Sequence, residues 1–261
     1  MLIRMSEPGS PPPAAESPFG PGGMSRRSLV LETWFVQLVF LFPGVAEAID
    51  VLAAHVGGVS DITRFPTVVS GHPVANLILG VFSYLAVGTI VPLALLLLTR
   101  TGPSLAEIGF TFPRFREDMV PGAGIAAAGY GTAVVVGVIL SAAVAGHRDL
   151  ISQVPTGNVP KYYILYGIAV SAVTAVTEET LVSGYLLTRL DQLGWDPRWA
   201  LTVSLALRTS YHVYYGLGFL VTIPFGYYAT RSFQKHRRLA RPIFAHFLYD
   251  AVLITISVLA A

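Results

Sequence analysis

Seven long apolar runs constrain this chain more than any other feature, at roughly 28–54, 73–99, 119–145, 161–187, 199–215, 217–230 and 242–260. A helix needs about 20 apolar residues to cross the hydrocarbon of a bilayer, with a range of about 17–25. The first four runs are long enough to span with some tilt. The run at 217–230 is short, and Pro224 should kink it; such a piece suits a helix shielded by protein rather than by lipid. The expected fold is all-α: a polytopic transmembrane helical bundle of about seven spans. Composition agrees, since 12% of the 261 residues are charged where a soluble domain has about 25%. Mean hydropathy is +0.62.

The chain divides into three parts. Residues 1–25 are rich in Pro, Gly and Ser without apolar period and read as a disordered tail; Met24 offers an alternative start. Residues 26–160 hold the N-terminal transmembrane helices, and residues 161–261 hold the remaining helices with most of the buried ionisable groups. With the N-terminus inside, 13 of the 17 Lys and Arg fall in inner segments and three in outer loops. That excess follows the positive-inside rule and places the N-terminus in the cytoplasm. The stretch 105–118 mixes apolar and charged residues and reads as an interfacial segment.

A net charge of +2 is near balance and suggests no nucleic-acid surface, and the absence of cysteine removes disulfides, thiolate metal sites and a cysteine nucleophile. The long apolar runs imply membrane lipids as partners.

Ionisable groups at membrane depth are costly and usually functional. The last four runs carry Glu178, Glu179, Arg208, His212, His246 and Asp250. Adjacent helical residues differ by about 100° around the axis, so one of Glu178 and Glu179 should face a site while the other supports it. A carboxylate there can serve as general base or acid; the simpler reading is an ion pair with Arg208. Arg208 and His212 are spaced i,i+4, as are His246 and Asp250, so each pair shares a helix face. His212 alone could be a hydrogen-bonded core residue, and His246 with Asp250 could be a helix-stabilising pair. Together, Glu178, His212 and His246 could ligate a divalent metal such as zinc. The same groups could activate water without one. Neither HExxH nor G-x-S-x-G occurs. His55, His72, His147 and His236 fall at ends or in loops, and most tyrosines of the last helices read as packing or interfacial aromatics.

These residues resemble the CAAX protease and bacteriocin-processing (CPBP, or Abi) family of intramembrane proteases over about 161–254. The family's motifs are Glu-Glu-x-x-x-Arg, Phe-x-x-x-His and His-x-x-x-Asn/Asp on successive helices. Glu178-Glu179 match the first, followed by Gly184-Tyr185-Leu186; His212 matches the second; His246 and Asp250 match the third. Ser183 stands where the motif has Arg, and Arg208 where it has Phe. One buried cation is lost and one gained, so Arg208 is expected to supply from a neighbouring helix the charge missing at 183.

The resemblance implies an intramembrane endopeptidase of metallo or glutamate type in a cell membrane. The Ala, Gly and Pro bias suits a bacterial one. Glu178, helped by His212, would activate water, His246 and Asp250 would stabilise the oxyanion or position the water, and Glu179 and Arg208 would support them. Buried Glu, His and Asp also make proton relays, which keeps a proton- or ion-coupled transporter as an alternative, with a non-catalytic membrane scaffold or immunity protein as a third.

Overall fold

The computed structural model describes residues 24–56, 72–101, 103–111, 113–144, 161 and 163–260. Residues 1–23 of the expected tail and residues 145–160 lie outside the described residues. Nine α-helices run through the described residues: α1 (Arg26–Val56), α2 (Pro73–Gly88), α3 (Ile90–Thr99), α4 (Val120–Ala143), α5 (Tyr163–Glu178), α6 (Leu186–Gln192), α7 (Pro197–Ser210), α8 (Thr222–His236) and α9 (Ala240–Ala260). A π-helical turn, Phe115–Met119, leads into α4, and another, Glu179–Tyr185, joins α5 to α6.

Five stretches are long and apolar enough to cross a membrane: Arg26–Ala46, Val74–Thr99, Phe115–Ala143, Tyr163–Gln192 and Ala240–Leu259. Thus α2 with α3 forms one span, and α5, the π-turn and α6 form another. The runs expected at 199–215 and 217–230 become α7 and α8, of 14 and 15 residues. At 1.5 Å per residue each is about 22 Å long, short of a hydrocarbon core of about 30 Å. α7 starts where Asp196 caps the Arg198 N–H at 2.7 Å and Pro197 takes the first turn. It ends at Ser210, before the run does, because Tyr211–Val221 folds into short 3₁₀ turns around Gly216. The interfacial stretch also divides: its end, from Phe115, is continuous with the α4 span.

The core forms where α5, its π-turn and α6 meet α1, α3, α7 and α8. Leu181, Tyr185, Leu186 and Leu190 pack there with Val36, Phe40, Leu98 and Phe233, all buried. On the opposite side α9 lies along α4 and α5. Outward-facing apolar residues such as Phe42, Phe82, Val138, Leu165 and Ile256 are more than half exposed. Apolar surface on that scale belongs against lipid.

Two close approaches fix the geometry around the site. A Cβ at Gly44 would lie 2.7 Å from Tyr211 Cβ, so only glycine lets α1 reach the turn after α7. A Cβ at Gly226 would lie 2.7 Å from Arg208 Cδ, so α8 passes over the arginine only because it has no side chain there.

Candidate active site

The π-turn begins at the Glu178/Glu179 pair. Such insertions widen a helix by one residue and recur at functional sites. Glu179 is fully buried. Its Oε1 accepts from Arg208 Nη1 at 2.6 Å and from His246 Nδ1 at 2.9 Å. Its Oε2 accepts from Arg208 Nη2 and from Ser183 Oγ, both at 2.8 Å. One carboxylate therefore ties the π-turn after α5 to α7 and α9, with a bidentate guanidinium as the strongest contact. Arg208 also stands 5.9 Å above the Phe225 ring.

Glu178 is placed differently. Its side chain keeps 11% of its surface accessible where Glu179 keeps none. Oε2 accepts from the Tyr211 hydroxyl at 2.6 Å, and lies 3.8 Å from Arg208 Nη1 and 3.9 Å from His246 Nε2. The 100° argument separated the two carboxylates too far. They differ in environment as expected, yet both reach Arg208 and His246, because the helix changes pitch at 179 and both side chains are long.

His246 is held from both ends. Nδ1 meets Glu179, and Nε2 is 3.3 Å from Asp250 Oδ2, one turn further along α9. Phe225 covers the ring at 5.1 Å between centroids. His212 makes a local bond: Nδ1 lies 2.8 Å from the Arg208 carbonyl oxygen. A carbonyl only accepts, so Nδ1 donates and carries the ring proton. The His212 ring lies 4.7 Å from Tyr211 and stacks on Tyr215. Its route to Glu178 runs through Tyr211, whose ring also meets Phe40 of α1 edge-on at 5.4 Å.

The donor set does not fit a metal as arranged. Glu179 is engaged by a guanidinium, both His246 nitrogens face carboxylates, and Arg208 brings a positive charge to within 3.8 Å of Glu178. Among the described residues no group of three His, Asp or Glu side chains converges as a ligand set.

Sequence reasoning missed three features. Tyr211 is one of six tyrosines near the expected site, of which the sequence marks none as the hydrogen-bonding one; its place beside His212 is its only signal. Glu32 of α1 pairs with Arg189 of α6 and accepts from Tyr185 Oη at 2.9 Å. Asp118, fully buried, accepts from Arg238 Nε at 2.6 Å and Nη2 at 2.5 Å.

No curated protein and no solved structure matches the chain. Residues 160–252 match the model of the family described as Type II CAAX prenyl endopeptidase Rce1-like. That stretch runs from the start of α5 into α9 and contains every residue of the cluster, so the match falls on the same helices whose motifs resemble the CAAX protease family.

Proposed function

We propose that the protein is an intramembrane endopeptidase that hydrolyses a peptide bond of a membrane-associated or lipidated protein or peptide. The observation that carries this reading is the position of Glu178. It is a partly accessible carboxylate at membrane depth, 3.9 Å from a histidine that two other carboxylates hold in place. A protease-family match spans the same residues.

A gap of 3.9 Å between Glu178 Oε2 and His246 Nε2 lets one water hydrogen-bond to both. Glu178 takes a proton from that water as its oxygen attacks the scissile carbonyl carbon. The carbonyl oxygen becomes an oxyanion, stabilised by N–H donors aimed at it; His246 Nε2–H is the donor at hand, while the Tyr211 hydroxyl, committed to Glu178, keeps that carboxylate oriented. Collapse breaks the C–N bond, and the proton held by Glu178 passes to the leaving amine. Asp250 and Glu179 fix the His246 ring, Arg208 holds Glu179, and His212 orients Tyr211.

The matched family's description names a prenyl endopeptidase, so a prenylated C-terminal peptide is the first substrate class to offer, with bacterial membrane peptides second. The excess of inner Lys and Arg supports a cytoplasmic N-terminus. The test is cleavage of such a peptide by purified protein in proteoliposomes. Loss of turnover in His246→Ala with an unchanged unfolding midpoint supports the reading, and unchanged turnover refutes it.

A further inference from the structure

A second feature of the bundle lies beside the site and is lined by none of the residues of the cluster. An apolar cavity of about 440 Å³ opens between the start of α9, the middle of α5 and the segment before α4. Its walls include Met119, Ala172, Val176, Ile243, Phe244 and Phe247. Cavities of this size hold small ligands. Ala172 and Val176 are exposed, so the cavity is reached sideways through the lipid-facing surface of the bundle. It extends along α9 from Ala240 to Phe247, about 10 Å at 1.5 Å per residue.

One end of this apolar slot is basic. Arg241 follows Ala240 directly, and its Nε is 3.6 Å from Asp118 Oδ1, next to the wall residue Met119. That Nε is buried without a hydrogen-bond partner among the described residues. Arg238 binds Asp118, and Arg114 binds Glu117. Arg116 projects from the same π-turn. Arg238 and Arg241 thus flank the wall residues Leu239 and Ala240, and with Arg114 they place three guanidinium charges on the two carboxylates Glu117 and Asp118, a positive excess next to an apolar slot.

We propose that this slot binds one anionic phospholipid, its phosphate on Arg241 at the rim and an acyl chain along α9. The two halves of the feature match the two halves of that ligand: positive charge at the interface, apolar walls below it. Basic pockets between membrane helices hold acidic headgroups by this arrangement. Because Ala172 and Val176 stand six and two residues before Glu178 on α5, bound lipid also braces the helix that delivers the proposed base.

The test is native mass spectrometry of the detergent-purified full chain, equilibrated with an equimolar mixture of phosphatidylglycerol and phosphatidylcholine of identical acyl chains. The expected result is one retained phosphatidylglycerol per chain, with inorganic phosphate failing to compete. Arg241→Gln should weaken retention by about fivefold, the size of one arginine's contribution at a charged membrane surface. Should Arg241→Gln fail to fold, Ala172→Phe leaves the ionic cluster intact and fills the slot; it should abolish the retained lipid. Equal retention of phosphatidylcholine, or retention unchanged in Ala172→Phe, would overturn the proposal, as would displacement by an isoprenyl alcohol that binds without regard to headgroup charge. Each readout is independent of proteolysis.

Discussion

Arg208→Met removes the cation from the buried cluster. The side chains of Arg208 and Glu179 are 3% and 0% exposed, so water screens little of their attraction. Glu179 would keep Ser183 and His246 but lose both guanidinium bonds, of 2.6 and 2.8 Å. Removing one partner of a buried ion pair costs about 3–5 kcal/mol, because the remaining charge is stranded. In a chain of this size 1 kcal/mol moves the unfolding midpoint by about 2–4 °C. The midpoint in detergent should therefore fall by roughly 6–20 °C. A second variant shows whether charge or packing is responsible. Ser183 Oγ lies 2.8 Å from Glu179 and 3.5 Å from Arg208 Nη2, so an arginine grown from position 183 enters the space that Arg208 vacates. The double variant Ser183→Arg/Arg208→Phe, which restores the family motifs, should recover most of the loss seen in Arg208→Phe alone. An unchanged midpoint in Arg208→Met, or a double variant no better than the single one, would refute the reasoning.

Tyr211→Phe keeps the ring against Phe40 and removes only the 2.6 Å bond to Glu178; a hydrogen bond to a charged group contributes about 1.5–3 kcal/mol, so kcat/KM for peptide cleavage should drop roughly 10- to 100-fold. Gly226→Ala drives a methyl to 2.7 Å from Arg208 Cδ and 3.1 Å from Leu205 Cδ2; overpacking of this kind costs about 1–3 kcal/mol, seen as a lower unfolding midpoint together with reduced turnover. Asp118→Asn weakens the tie between the turn before α4 and the junction of α8 with α9, so limited trypsinolysis should cut faster at Arg237 and Arg238, while an unchanged rate would show that the junction is held by other contacts.

The helices long enough to span were legible because apolar length is a one-dimensional property. Where α7 ends was not, since Tyr211–Val221 is as apolar as a helix and only its path around Gly216 shows that it turns. The site followed a similar division. His246 with Asp250, and Arg208 with the Glu178/Glu179 pair though not with which member, could be anticipated from spacing and from the exchange of cations between positions 183 and 208. The approach of both glutamates to one histidine could not, because the 3.6-residue periodicity of an α-helix does not hold where the chain enters a π-turn at Glu179. Tyr211 was hidden for another reason: a tyrosine that hydrogen-bonds a carboxylate and one that merely packs leave the same mark in a sequence. Asp118 and Arg238 are 120 residues apart, and nothing local in either segment announces their pairing.

The central claim is that Glu178 activates the attacking water while Glu179 holds the site together. Glu178→Gln tests it most directly, because glutamine keeps the shape of the side chain and an acceptor for Tyr211 while removing the base. Purified wild-type protein and the variant would be reconstituted in liposomes and offered the same prenylated peptide. The account predicts a Glu178→Gln protein with a near-native unfolding midpoint and turnover reduced by about 10²–10⁴-fold, the usual contribution of a general base. Wild-type turnover by the variant would contradict it.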